Sequence, residues 1–283
     1  MGKVKIMADT TCDLSEELLE RYDVTQIPLN VLLGDKSYYD KEEITPPELF
    51  AWAEDHKQTP KTAAPGIEKA MKILKPFTEE GRDIIFFGIS EEMSTTCNVV
   101  RLAAKELNYD RIFVIDSMNL SSGIGLQIIH AAEMAEDGMG AEEIVSAIEG
   151  LREKVRASFV VDTMEYLAMG GRCSQVTALL ATALKLKPMI VVKDGKMGVG
   201  RKYHGATEKA IMKYVEDLTP ELMNAVPARV FITHSSSDRE LVKKVYEYLD
   251  SLHYFLEIHE TIAGGTISSH CGPGTLGVLF YSK

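Results

Sequence analysis

The sequence predicts an α/β protein in two units: a parallel-sheet, three-layer domain over residues 1–156 and a two-layer domain with a mixed sheet over residues 157–283. Three observations predict it. Apolar, β-prone runs at 4–8, 83–88 and 111–115 each pass into a hydroxyl-rich loop and then an amphipathic segment, the order expected of parallel strands joined by crossover helices. Asp194-Gly195 separates two strand-like runs, which favours a tight antiparallel hairpin. At 283 residues the chain also exceeds the roughly 150 expected of one domain.

The elements follow in order. Val4 to Ala8 reads as a buried strand leaving through Asp9-Thr10-Thr11-Cys12-Asp13, and Ser15 ahead of Leu18 and Leu19 starts a helix. Val24 to Leu33 is β-prone, and Gly34-Asp35 turns it into Lys36 to Tyr39. Thr45-Pro46-Pro47-Glu48 has capping-box spacing with proline just inside the helix start. Lys61-Thr62-Ala63-Ala64-Pro65-Gly66 reads as a loop opening a helix with Ile67, Ala70, Met71 and Leu74 on one face. The strand at 83–88 exits through Ser90 to Thr96, and the one at 111–115 through Asp116 to Gly123, both into helices.

Near residue 156 the pattern changes. Ser158 to Val161, the Tyr166 to Arg172 segment, and an apolar helix from Val176 to Leu184 precede a hairpin of Met189–Val192 with Met197–Lys202. Helices at 207–218 and 238–252 then alternate with strands at 228–233 and 256–262. The stretch from Ala263 to Gly277 reads as a flexible Gly/Ser/Thr loop carrying His270, ahead of a last strand at 278–281.

Composition narrows the function. With 45% hydrophobic and 26% charged residues and no apolar run near the ~20 residues needed to cross a bilayer, an integral membrane protein is not expected. A net charge of −11 without a basic run argues against nucleic acid, whose backbone demands clustered Lys and Arg. Residues 1–9 lack the apolar segment of a secretory signal, so the expected compartment is the cytoplasm. Cys12, Cys97, Cys173 and Cys271 form no CxxC pair, which points to reduced thiols rather than a metal site.

An anion site on so acidic a chain has to be local. Thr62 and Ser94 each stand where a helix is expected to begin, so their hydroxyls and the free N–H groups there suit a bound anion or simple capping. Arg172, after Gly170-Gly171, can clamp a carboxylate or phosphate, or make a surface ion pair. Asp9 and Asp116, at strand ends, suit loop bracing or catalysis, and His270 suits a polar site or a capped turn. A hydrolase with Ser94 or Thr62 as nucleophile, His270 as base and Asp9 or Asp116 behind it remains open, although no GxSxG elbow is present. So does a binder of a small anionic metabolite.

These segments, in their order and spacing over nearly the whole chain, resemble the DegV family of bacterial fatty-acid-binding proteins. The resemblance rests on Asp9 to Asp13, Thr62 to Gly66, Ser90 with Met93 to Thr96, Asp116-Ser117 followed by Gly123 and Gly125, Tyr166 to Arg172, Leu186 to Met189, and His270 to Gly274. It implies a parallel-sheet domain, a mixed-sheet domain and a long-chain fatty acid buried between them, with no other cofactor and no metal. Thr62 and Ser94 would donate to the carboxylate, with His270, protonated or not, beside it. Arg172 would lie near the opening used by the ATP-binding subunit of a fatty acid kinase, in a step that feeds phospholipid synthesis. Thr95 and Gly171, within the same motifs, join the candidate ligand-binding set. On this reading the chain is a carrier without its own nucleotide site, consistent with the lack of a GxxxxGK[ST] loop. Two motifs depart from the family pattern: Thr-Ser-Gln-Pro-Ser is here Thr62-Ala63-Ala64-Pro65-Gly66, and Ser-Gly-Thr-Tyr is Ser94-Thr95-Thr96-Cys97.

Overall fold

A computed structural model describes residues 4–180 and 186–283. The first strand, β1 (Lys5–Asp9), ends in a 3-10 turn over Thr10–Cys12, and α1 (Glu16–Arg21) starts at Ser15, whose hydroxyl accepts from Leu18 N. After β2 (Thr25–Ile27), the strands β3 (Asn30–Leu33) and β4 (Lys36–Tyr39) form a hairpin. The helix α2 (Pro46–His56) opens with the expected box, Thr45 N and Oγ1 both donating to Glu48. Next come β5 (Lys61–Ala63), α3 (Ile67–Glu79), β6 (Ile84–Gly88), α4 (Thr96–Glu106), β7 (Ile112–Asp116), α5 (Ser122–Glu136) and α6 (Ala141–Leu151).

From β8 (Val155–Val160) the chain builds the other large sheet. It continues through α7 (Glu165–Gly170), α8 (Ser174–Leu180), β9 (Leu186–Lys193), β10 (Lys196–His204), α9 (Thr207–Asp217) and α10 (Thr219–Leu222). It finishes with β11 (Ala225–Ser235), α11 (Arg239–Ser251), β12 (Glu257–Ile262), α12 (Gly265–Cys271) and β13 (Thr275–Ser282). The helix expected to reach Leu184 is seen to Leu180, and residues 181–185 lie outside those described.

Among the described residues the strands form three sheets. The order β2-β1-β6-β7 is parallel throughout, as the repeated strand–loop–helix pattern predicts. The order β10-β9-β8-β13-β11-β12 is mixed: β11 and β12 run parallel and the remaining pairs antiparallel. Its β9–β10 hairpin turns at Asp194 (φ 52°) and Gly195 (φ 74°), the positive dihedrals of the primed turn that Asp-Gly favours. The strand β8 starts at Val155, slightly ahead of the expected change at 156. The third sheet, β4-β3-β5, is small and antiparallel.

Two expectations are corrected by this architecture. The segment from Lys61 is not a loop feeding a helix: Thr62 pairs with Val31 in β5, and α3 starts only after Gly66. Residues 265–271, expected as loop, form the buried helix α12.

One core joins the large sheets. The helix α5 lies between them, with Ile124, Leu126, Ile128 and Ile129 fully buried in a cluster that also holds Phe87 on β6, Phe159 on β8 and Leu279 on β13. Each such side chain contributes about 1.5–3 kcal/mol on burial. Gly123 and Gly125 let α5 come close: a Cβ would sit 2.1 Å from Asn119 Oδ1 at the first and 2.6 Å from Leu14 Cδ2 at the second.

Candidate functional site

The site is built around α12, whose sequence Gly-Thr-Ile-Ser-Ser-His-Cys is poor in strong helix formers. The helix is capped from elsewhere in the chain. The Asp40 carboxylate accepts from Gly265 N at 2.7 Å and Thr266 N at 3.0 Å, while Asp13 accepts from Gly264 N at 2.8 Å. These bonds satisfy N–H groups that a helix start leaves without internal partners. Both carboxylates are fully buried and further held, Asp40 by Thr10 Oγ1 at 3.2 Å and Asp13 by Ser121 Oγ at 2.6 Å. Glycine is required at the contact, since a Cβ on Gly265 would sit 2.9 Å from Asp40 Oδ1. Burial, partly offset by Lys41, pushes the Asp13 carboxyl up to about 6.

So fixed, the last turn of α12 aims His270 at β5. Its Nε2 lies 2.8 Å from Thr62 Oγ1, a contact between residues 208 apart in the chain. The Nδ1 atom is buried with no hydrogen-bond partner among the described residues. Gly170 is packed so closely on it that a Cβ there would come within 2.3 Å. Burial, reinforced by the Arg172 charge, lowers the imidazole to about 4, so His270 is neutral at pH 7 and the protonated form is set aside.

Thr62, Ser94, Arg172 and His270 line one cavity, with Leu29, Ile89, Met93 and Ile267 among its apolar walls. Its volume is about 50 Å3. A second cavity, of about 20 Å3, runs under β13 beside Phe159 and Leu279 and shares Leu120, Ile267 and Cys271 with the first. The two cavities thus lie side by side across Leu120, Ile267 and Cys271, with Thr62 and His270 on the wall of the first and Ser121, Thr233 and Ser235 on that of the second.

Arg172 bridges two backbone carbonyls at the cavity wall: Nη1 donates to Gly170 O at 2.7 Å and Nε to Met93 O at 3.4 Å. Among the described residues no carboxylate lies within ion-pair distance of it, and its hydrogen bonds go to these two carbonyls. Ser94 precedes the helix start at Thr96; its Oγ lies 2.9 Å from Thr96 Oγ1 and 3.4 Å from Thr96 N.

The remaining expected residues stand apart from the cavity wall. Thr95 is exposed at the cap of α4, and Gly171 (φ 69°) is the left-handed residue ending α7; Gly170 is the one that touches His270. Asp9 and Asp116 are braces. Asp9 accepts from Thr11 N at 3.0 Å and Ile89 N at 2.8 Å, tying the ends of β1 and β6, and burial pushes its carboxyl up to about 6. Asp116 accepts from Met118 N at 2.9 Å and Glu91 N at 3.2 Å. Neither backs His270, so the carboxylate–histidine–hydroxyl relay of a hydrolase is not assembled from them. The four cysteines are buried free thiols, and no metal-binding group of three His, Cys, Asp or Glu side chains occurs among the described residues.

Sequence reasoning missed Asp40, Asp13, Gly170 and Leu120. The available signal for the first two was Gly264-Gly265 before a hydroxyl run, a pair that marks close approach to the backbone without saying what approaches.

A family profile described as "Uncharacterised protein, DegV family" matches residues 3–283. A DegV domain-containing protein of Clostridium perfringens is 32% identical over 284 residues, covering 99% of each chain. A solved structure from Thermus thermophilus, described as fatty acid binding of a DegV family protein, superposes with a TM-score of 0.90 at 30% identity over 99% of this chain and 100% of that one. Another, a stearic-acid-binding protein of Eubacterium ventriosum, gives a TM-score of 0.86 at 28% identity over 100% and 99%. With a profile match from residue 3 to the last position and relatives alike over their full length, the chain belongs to the DegV family.

Proposed function

We propose that this protein binds a long-chain fatty acid, with its carboxylate between Thr62, Ser94 and Arg172 and its tail along the seam of Leu120, Ile267 and Cys271. The observation that carries this reading is the Thr62–His270 hydrogen bond at the polar end of an apolar cavity, beside an arginine that no carboxylate of the described residues neutralises. Fatty acid binding is what the Thermus thermophilus and Eubacterium ventriosum relatives are described as doing.

The chemistry follows from neutral His270. With Nε2–H donating to Thr62 Oγ1, the threonine hydroxyl hydrogen is free to donate to a carboxylate oxygen. The unpartnered Nδ1 is then a bare lone pair against Gly170. A charge-assisted bond of this kind is roughly twice as strong as a neutral one. A long tail exceeds the cavities of about 50 and 20 Å3, so in this reading its entry parts the packing at Leu120, Ile267 and Cys271, and each methylene buried there contributes about 0.8 kcal/mol before the costs of opening and association.

In this reading the chain is a cytoplasmic carrier and its partner is an ATP-binding kinase subunit. A carboxylate oxygen forms the new O–P bond to the γ-phosphoryl group, the bond between that phosphorus and the β,γ-bridging oxygen breaks, and ADP leaves. ATP belongs to the partner. Organic extraction and mass spectrometry of the purified protein test the binding step. Recovery of long-chain fatty acid is the expected result; no recovered acid, together with no uptake of added acid, overturns it.

A second reading is favoured by size: about 50 Å3 is well below the roughly 300–1,000 Å3 usual for ligand sites. In this reading the occupant is a small anionic metabolite with a short apolar body, which requires less opening of the Leu120 and Ile267 walls than a long tail. Binding of a four-carbon acid as tight as that of a sixteen-carbon acid would select it.

A further inference from the structure

We infer a second anion site, for a phosphate group, in the cleft between the loop after β7 and the β8–β9 strands. The cleft has a volume of about 360 Å3 and is lined by Asn119, Arg152, Arg156 and Lys193, with Glu153 and Asp194 also on its wall. Three cations against two carboxylates make it locally basic on a chain of net charge −11.

Three features distinguish it from a chance grouping of surface charges. First, neither Arg156 nor Lys193 has an ion-pair partner among the described residues; Arg156 Nη1 donates only to the carbonyls of Glu153 at 2.8 Å and Val155 at 3.4 Å. Arg152 is held at the cleft by donating to Asp116 O at 3.1 Å, and Glu149 Oε1, 3.9 Å from its Nη1, meets part of its charge. Secondly, Asn119 is 3% exposed, yet among the described residues only its Oδ1 is engaged, by Leu120 N at 3.1 Å. Its amide group, which donates to no group among the described residues, lines the cleft wall and is free to donate to an anion there. Thirdly, the preceding Met118 adopts a positive φ of 51°, and Asp116 holds that turn through Met118 N. The open carboxyl end of a parallel strand, here β7, is where α/β sheets commonly take ligands.

Planar guanidinium groups, an ammonium and an amide N–H suit a tetrahedral oxyanion. The volume exceeds that of the bare ion, so a phosphate monoester with a small body also fits. The site is back to back with the apolar cavities: Asn119 faces the cleft, the next residue Leu120 lines both cavities, and Asn119 O accepts from Ser90 N at 2.9 Å. An anion held by Asn119 therefore lies one residue from the wall of the other site.

The test is a titration of the full chain with inorganic phosphate and, separately, with AMP, followed by 15N NMR of the Asn119 side-chain amide and the Met118–Leu120 backbone. Saturable shifts with Kd on the order of 1 mM or tighter, weakened about tenfold in Arg156→Ala/Lys193→Ala, are expected. Tighter binding of AMP than of phosphate identifies a monoester, and equal binding the free ion. Sodium chloride at matched ionic strength producing the same shifts, or a double variant titrating like wild type, overturns the site. Fatty acid binding by the double variant without phosphate is expected to match wild type, so the result is independent of what occupies the apolar cavity.

Discussion

The rim of the parallel sheet and the helix α12 both present polar groups to the same cavity, yet they are organised in opposite ways. At the rim, each turn has a local brace, supplemented by links between neighbouring loops: Asp116 bonds Met118 N two residues on as well as Glu91 N, Asp9 bonds Thr11 N as well as Ile89 N, and Ser94 and Ser15 accept from Thr96 N and Leu18 N. At α12 nothing local suffices, and the helix start is held by Asp13 and Asp40, more than 220 residues earlier in the chain. Local capping survives small disturbances elsewhere. Non-local capping makes the position of His270 depend on the whole fold.

The sharpest way to break that comparison is Asp40→Ala. It strands the buried N–H groups of Gly265 and Thr266, at roughly 1–3 kcal/mol each, so a loss of about 4 kcal/mol in unfolding free energy is expected from denaturant titration. A loss below ~1 kcal/mol, the scale of an ordinary local cap, would erase the distinction between the two regions.

The same distinction explains what was legible beforehand. The strand–loop–helix repeats, the Thr45 box and the Asp194-Gly195 turn declare themselves within a few residues, and the structure has all of them. The parallel sheet and the hairpin in the mixed sheet could therefore be read directly. Thr62 and α12 could not: a three-residue strand in a minor sheet and a helix capped by distant carboxylates depend on pairings that no local window contains. Thr62, Ser94, Arg172 and His270 were identifiable as candidates by chemistry and family likeness. The reason three of them converge with α12 was not, because Asp40 carries no mark in its own neighbourhood of the helix it caps.

The next effect in size concerns pH. His270 is lowered by burial to about 4, so on acidification the unfolded chain takes up the imidazole proton near its ordinary value while the folded chain resists. This group therefore removes stability as pH falls from about 6.5 to about 4. Asp9 and Asp13, raised by burial to about 6, act in the other direction, because the folded state binds their protons more readily over the same range. Total stability mixes these signs, so the informative quantity is the difference between wild type and His270→Gln. Wild type is expected to lose up to ~3 kcal/mol relative to the variant between pH 7 and pH 4. A difference independent of pH would mean that α12 does not keep the imidazole dry.

For ligand capture, Thr62→Ala removes the hydroxyl that His270 orients, and binding of a long-chain fatty acid should weaken by about 1.5–3 kcal/mol, measured by calorimetry. Ser94→Ala should weaken it less, because Ser94 Oγ is already shared with Thr96 Oγ1 and Thr96 N. The reverse order would place the carboxylate nearer the rim than α12.

The smallest effect completes the comparison from the local side. Ser15→Ala removes one cap on α1, a bond of 3.3 Å to Leu18 N at the protein's edge, and water can replace it. A loss of about 0.5–1 kcal/mol is expected, with fatty acid affinity unchanged, because nothing in the cavity wall depends on α1. Stability and binding should thus separate for a local cap and fall together for Asp40. That separation, measured on the same two assays, distinguishes a helix that positions the site from one that merely belongs to the fold. If Ser15→Ala weakened binding in proportion to its stability loss, affinity would be tracking global stability, and the lower affinity of Asp40→Ala would carry no information about α12.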